Sequence, residues 1–374
     1  MEEQIENLEQ IIHIDCQSCG AEMVYDPEKQ ELLCDHCGDT QALPRGNELV
    51  VERSFSEAMQ LGAESLGFGM ETKVFHCNNC GAETAVKTVE VSFECPFCTS
   101  TNINEEARAT RVIRPSGVLP FKVPRKDALA AFRIWIKKGL FAPRKLKRLA
   151  KLEKIHSVYL PFWTYDAETR SQWSAMAGHY YYVTETYTDS NGNVNTRQVR
   201  KTRWVSASGY YEHFFDDVLV LGSHGLNQDF AEKVFPFKLN EVVNYDSRYI
   251  LGHESEVYQR DVNRGFEVAE DKMDSHIRSA IIREIPGDTY RSLNINTHKS
   301  GLTFKHLLLP IWIAAYRYRK KVYRFLVNGQ TGKISGKKPV SVGKVILAIL
   351  LGLAVIVAVA YFAGVFDKAL AGMN

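Results

Sequence analysis

Beyond position 98 this 374-residue chain has no cysteine; all eight fall between positions 16 and 98. A disulfide framework for the larger part of the chain is thereby excluded. Positive charge is scarce at the start, where residues 1–106 hold 21 Asp and Glu against 5 Lys and Arg. A segment of net −16 repels phosphate, and nucleic-acid affinity rests largely on neutralising phosphates. With a total of +2, the remainder carries +18, so the two parts suit different partners. Charge is wholly missing from Val345 to Phe366, VILAILLGLAVIVAVAYFAGVF, which also lacks Pro, Asn, Gln and His. The opening MEEQIENLEQ is acidic and polar and carries no export signal. Nor does a catalytic arrangement show: the histidines at 156, 179, 213, 224, 253, 276, 298 and 306 pair locally with no Ser, Cys or carboxylate. Asp216-Asp217 reads as a solvated turn before VLVLG, with a metal pair as the alternative. The run NGQTGKISGKK lacks the Gly-x4-Gly-Lys spacing of a phosphate-binding loop, so no enzyme is read here.

The uncharged run is long enough to cross a membrane. A helix of that length spans roughly 33 Å at about 1.5 Å per residue, against a hydrocarbon core of about 30 Å. Lys333, Lys337, Lys338 and Lys344 precede it, and only Asp367 and Lys368 follow. Basic flanks stay cytoplasmic, so the expectation is a single-pass cell-membrane protein with its N-terminal bulk in the cytoplasm and a short C-terminal tail outside.

In a reducing cytosol the cysteines read as metal ligands. Cys16-x2-Cys19 pairs with Cys34-x2-Cys37, and Cys77-x2-Cys80 with Cys95-x2-Cys98; fourteen residues separate the pairs in both sets. CQSCGAE and CNNCGAE repeat sixty-one residues apart, a tandem duplication. A Cys-x2-Cys turn brings two thiolates to one ion, and Gly20, Gly38 and Gly81 suit the tight knuckle. The expectation is two zinc ions per chain, with rubredoxin-like iron as the rival, in closed structural sites. Each set is too short to bury an adequate core, so the metal supplies stability. His13, His36 and His76 stand near the knuckles as surface or outer groups, because four thiolates already complete each site. Ser54 and Glu57 form a capping box for a short helix between the two sets.

Residues 122–154 hold twelve Lys and Arg against two Asp and Glu. Ala128, Phe132, Trp135 and Ile136 recur at helical spacing, and Pro143 can open a second helix. Lys137, Lys138, Arg144, Lys145, Lys147 and Arg148 are the candidate contacts to an anionic surface, either acidic lipid or the chain's own acidic head, with nucleic acid or no partner as the alternatives. From Ser157 the text turns aromatic and β-branched, with a hairpin turn at Asn191-Gly192 and a helix over residues 257–284. LPFW at 160–163 and LPIW at 309–312 suggest two related β-rich halves joined by that helix.

The whole reads as a multidomain α+β chain: a first zinc ribbon over 1–40, a helical linker over 41–73, and a second ribbon over 74–106. Basic helices and a β-rich body with few helices occupy 107–338, and one transmembrane helix occupies 345–366.

VLPFKV at 118–123, WIKKGLFAP at 135–143, VYLPFWTYDAET at 158–169, FDDVLVLGS at 215–223 and the run from Thr303 to Ser341 carry a resemblance. The chain resembles bacterial and archaeal TFIIB-type zinc-ribbon membrane proteins, often labelled as like the primosomal protein N′ (replication factor Y) superfamily II helicase. The resemblance implies a fold rather than a reaction, and company with phage-shock and SPFH-type membrane proteins in envelope stress. No helicase motor motif is present in the sequence. The expected role is a zinc-ribbon adaptor or scaffold that binds protein partners on the cytoplasmic face. The alternative is a membrane-tethered nucleic-acid-binding protein.

Overall fold

The computed structural model describes residues 14–43, 50–56, 73–86, 95–101, 103–106, 113–137, 143, 155–318 and 321–362. Within the knuckle regions run β1 (Met23–Asp26), β2 (Glu31–Cys34), β3 (Thr40–Gln41), β4 (Arg53–Ser54), β5 (Lys73–Cys77), β6 (Glu83–Val86) and β7 (Ile103–Glu106). There follow β8 (Gly117–Val118), helix α1 (Arg125–Lys137), β9 (His156–Thr188), β10 (Val194–Phe215), β11 (Val220–Leu221) and the short α2 (Gln228–Glu232). Then come β12 (Val243–Asn244), β13 (Glu254–Glu256), α3 (Val262–Glu284), β14 (Thr289–Tyr318), β15 (Lys321–Asn328), β16 (Ile334–Gly336) and α4 (Val342–Phe362).

Runs of Tyr, Trp, Val and Thr favour extended backbone, and here they make very long strands. β9 has 33 residues. Its contour is roughly 110 Å at about 3.3 Å per residue. It pairs antiparallel with β14 from Gly178–Thr289 to His156–Ile313, with irregularities after Arg291 and Ser300. The left-handed Ser292 and Gly301 sit at those two breaks. Among the described residues thirteen strands join this sheet, and β1, β2 and β3 form a separate one. The second knuckle set belongs to the large sheet: β6 pairs with β13, which runs parallel to β9.

The LPFW–LPIW repeat marks a local two-fold relation. Leu160 and Leu309 stand directly opposite each other in the β9–β14 ladder. The first half runs β8, α1, β9, β11, and the second runs β13, α3, β14, β15. Each short strand lies parallel on the other half's long strand, β8 on β14 and β13 on β9. The hydrogen bonds repeat with it. Gly222 N–H donates to Pro161 O and Gly329 N–H to Pro310 O, both at 2.8 Å. Gln259 and Arg260 N–H converge on Gly222 O; Lys122 and Val123 N–H converge on Gly329 O. Trp163 Nε1 donates to Arg260 O at 2.9 Å, and Trp312 Nε1 to Val123 O at 2.8 Å. The two glycines are held to that identity by close approach. A Cβ on Gly329 would lie 2.5 Å from the Phe121 ring, and one on Gly222 would lie 3.1 Å from Tyr258 Cβ. The sequence repeat thus extends further than the four-letter match, because each half owns a helix.

The α3 helix begins at Val262, later than the periodicity suggests. Asp261 caps it, its carboxylate accepting from Arg264 N–H at 2.8 Å. Such a cap satisfies a backbone donor that the first turn leaves free. Residues 257–260 stay out of the helix because their N–H groups bond elsewhere: Val257 donates to Glu83 O, and Gln259 and Arg260 donate to Gly222 O. The inner face of α3 buries Val262, Ala269, Met273, Ile277 and Ile281 against β9, β10 and β14. In α1, Ala128, Phe132 and Ile136 are buried as their spacing predicts. Lys137 ends that helix; Lys138, Arg144, Lys145, Lys147 and Arg148 lie outside the described residues, as do Glu57 of the capping box and the second helix after Pro143. The helix α4 is apolar and its residues through Val359 are unburied; residues 363–366 of the expected span lie outside the described part.

Candidate metal centres

Both cysteine sets converge. Within each, one sulfur from every residue lies within 4.8 Å of the other three. Cys16 and Cys37 Sγ are 3.4 Å apart and Cys19 and Cys34 Sγ 3.5 Å; in the second set Cys77–Cys98 is 3.5 Å and Cys80–Cys95 3.7 Å. A tetrahedron of metal–sulfur bonds of about 2.3 Å has edges of about 3.8 Å, so four thiolates around one ion fit both sites. The knuckles are shaped by backbone: Gly20, Gly38 and Gly81 adopt φ of 73°, 80° and 75°. The fourth knuckle has no glycine, and Thr99 takes the same conformation at 58°.

Main-chain N–H groups and neighbouring thiols set the protonation order. The N–H of Cys37 above all, with that of His36, draws the Cys34 thiol down to about 6. In the second set a hydrogen bond from Cys95 draws Cys80 down to about 5, and Cys80 in turn pushes Cys95 up. One thiolate in each set is therefore available near neutral pH to begin metal capture. His36 is exposed, His76 Nδ1 faces Glu83 Oε1 at 3.4 Å, and His13 lies outside the described residues.

The two sets differ in setting. Cys19 and Cys37 are exposed, and the first set leans on the body through Tyr25, whose N–H donates to Leu251 O and whose hydroxyl donates to Phe121 O. Cys77, Cys95 and Cys98 are buried, and with Phe97 they share one apolar cluster with Leu119, Leu160, Leu309 and Leu326 of the body. Arg324 Nε donates to Phe97 O at 2.6 Å. Beside this set Glu256 is fully buried; its Oε1 accepts from Ser223 Oγ at 2.7 Å, and burial raises its carboxyl to about 8. The basic band meets the acidic head where Lys126 Nζ lies 2.6 Å from Glu28 Oε2.

A third group adds Asp166, which the sequence did not single out, to the Asp216-Asp217 pair. Asp166, Asp216 and Asp217 bring carboxylate oxygens within 4.8 Å of one another. Asp217 is not a solvated turn residue: it is partly buried and pairs with Lys305 Nζ at 2.8 Å. Lys305 also reaches Glu52 at 3.0 Å, and Thr303 bonds both Glu52 and Asp166. Burial raises the Asp166 carboxyl to about 6. The lysine ammonium already supplies the positive charge these carboxylates require.

No family model matches the chain, and no solved structure matches it. Among curated proteins, YdjG of Bacillus subtilis (strain 168) is 28% identical over 348 residues, spanning 90% of this chain and 92% of its own. It is described as an uncharacterized protein. The likeness therefore runs along most of both chains without attaching an activity to them.

Proposed function

We propose that this chain is a membrane-anchored adaptor whose two four-cysteine sites each hold a structural zinc ion and whose folded part binds protein partners at the cytoplasmic face. The observation that carries the reading is the second cysteine set, four converging sulfurs of which those of Cys77, Cys95 and Cys98 belong to residues buried in the core that β9 and β14 build. A closed tetrahedral site has no open position for a substrate, and its place in the core fits stabilisation rather than catalysis. The 21-residue α4, apolar and exposed, supports anchoring, and the lysines before it support a cytoplasmic body. Phage-shock or SPFH-type membrane proteins are the partners that the sequence resemblance suggests.

Two measurements test it. Metal analysis of the purified full chain should return two zinc ions; one, none, or a red ferric absorbance would overturn the zinc assignment. Protease added to intact spheroplasts should spare everything before α4, and a stoichiometric protein partner should co-purify from solubilised membranes. Digestion of the knuckles from outside, or no partner at stoichiometric level, would count against the adaptor.

A further inference from the structure

The β9–β10 hairpin continues beyond the end of β14. The last β9 residue paired with β14 is Gly178, while β9–β10 pairing continues to Thr188–Val194. Residues 179–203 thus project as a two-stranded ribbon of roughly 30 Å. The odd-numbered side nearer the body is covered by α3, which packs on Trp173, Ala175 and Ala177. The even-numbered side is open from Glu168 to the tip.

That open face has an unusual inventory. Outside α4, the exposed aromatic side chains of the described residues all lie on this hairpin: Tyr180, Tyr182, Tyr210 and Phe214 on the open face, and Tyr181 and Tyr187 on the other. Tyr210 is 76% and Tyr182 65% exposed. On the open face Trp204 carries the Arg291 guanidinium 4.1 Å above its ring, and Tyr180 carries Arg200 at 4.2 Å. Ser174, Ser208 and Asn294 make one cross-strand layer between the rings, and Tyr210, Gln172 and Asn296 in that order make another. From the Arg170–Glu212 ion pair at its base out to the tip, the face presents no further Asp or Glu on any of its three strands. On the opposite side of the ribbon Arg197, Lys201 and Arg203 answer a single carboxylate, Glu185.

Cations on an unpaired edge strand also guard against edge-to-edge association. That accounts for charge on β10 but not for six exposed rings gathered on one hairpin. Beyond the Arg170–Glu212 pair, the carboxylate beside this face is that of Asp288, which accepts from the Tyr180 N–H at 2.7 Å, and the aromatic plates, flat guanidinium groups and neutral amides that remain match a ligand that is anionic and has stackable faces. The geometry points to the open face of the β9–β10 hairpin as a binding surface for single-stranded nucleic acid, with Tyr180, Tyr182, Trp204 and Tyr210 as stacking platforms and Arg200 and Arg291 as phosphate contacts. Bases stack on aromatic side chains without sequence preference, and arginines held over rings serve both phosphate and π-face. The acidic head that disfavours nucleic acid at the knuckles is not part of this hairpin.

The test uses the full chain in phosphatidylcholine nanodiscs and a fluorescein-labelled, mixed-sequence single strand of about 20 nucleotides, followed by anisotropy. Binding should weaken with salt and exceed that of the matching duplex. Tyr182→Ala and Tyr210→Ala should each weaken it about fivefold or more, and Arg200→Glu with Arg291→Glu should abolish it. Tyr182→Trp keeps a stacking ring and should retain binding, with circular-dichroism melts unchanged. No binding at low salt, equal affinity for duplex, or indifference to these substitutions would overturn the proposal. So would loss in Tyr182→Trp equal to that in Tyr182→Ala. If no strand binds and the hairpin tyrosines instead become shielded from quencher on anionic nanodiscs, the face serves a membrane and the proposal fails.

Discussion

Arg324 of β15 donates its Nε to the carbonyl of Phe97, the residue just before Cys98, at 2.6 Å. The bond ties the second cysteine set to the strand that flanks β14, and Phe97 is itself completely buried among body side chains. Metal site and body are one packed unit at this point.

Loss of the second site should therefore spread. Cys77→Ser is expected to remove one metal equivalent and to lower the main thermal transition of the body, because comparable sites contribute about 10–16 kcal/mol and this one lies inside the shared cluster. Cys19→Ser, at an exposed position of the first set, should remove one equivalent with a smaller shift. Calorimetry with metal analysis reads both. A body transition untouched by Cys77→Ser would show that the cluster is not cooperative.

The two related glycines should respond unequally. Gly329→Ala forces a methyl 2.5 Å from Phe121, while Gly222→Ala meets Tyr258 Cβ at 3.1 Å. Overpacking costs about 1–3 kcal/mol, so Gly329→Ala should fall near the upper end and Gly222→Ala well below it. Urea melts of the two variants decide the order, and reversal would mean that the Phe121 ring can swing away.

Lys305 is only 12% exposed at its side chain and is flanked by Glu52 and Asp217, with Asp166 adjacent. Lys305→Met leaves those carboxylates without their cation, a loss of about 3 kcal/mol. Adding Asp217→Asn should recover part of it. A double variant no more stable than Lys305→Met would mean that the charges are not coupled.

Glu256 gives a pH signature. Its carboxyl is raised by burial to about 8 in the folded chain, so the folded state holds a proton that the unfolded state has released. This contribution is fully present below the ordinary glutamate range and is lost as pH rises towards 8. Between pH 6 and 8 the wild type should lose on the order of 1–3 kcal/mol relative to Glu256→Gln, which keeps the shape without the titration. The related position in the first half, Leu119, is fully buried and apolar. Parallel stability–pH curves for the two proteins would refute the assignment.

Local signals were legible where the physics is local. The cysteine spacing located both clusters, since a Cys-x2-Cys turn can scarcely do otherwise than aim two sulfurs together. The apolar face of α1 and the Asn191-Gly192 turn followed from periodicity and turn chemistry. The helix α3 starts later than the periodicity over 257–284 suggests because the Glu83 and Gly222 carbonyls take the N–H groups of Val257, Gln259 and Arg260, and no local rule sees those partners. Asp217 looked like a surface turn because its counter-ion, Lys305, comes from the other half of the body, and Glu52 reaches the same lysine from the acidic head. The half-and-half construction was visible only as LPFW and LPIW, since the remaining correspondences are backbone hydrogen bonds that many side chains satisfy. Among the candidate anionic-surface residues, only the backbone of Lys137 lies within the described part.

The exchange of short strands between the halves also sets an order of events during folding. β8 is synthesised early, but its ladder partners, Val243 and Asn244 of β12 and Leu307 and Leu308 of β14, come much later, and the central β9–β14 zipper cannot close before β14 exists. Contacts of such long sequence separation form slowly. In the interval β9 and β10 can pair as a local hairpin and the first cysteine set can capture its ion, because each needs only near neighbours. The second set has its four sulfurs early but acquires β13, β15 and the buried leucines late. An early metallated nucleus that waits for its sheet would keep reactive thiols masked while the longest strands are still unpartnered.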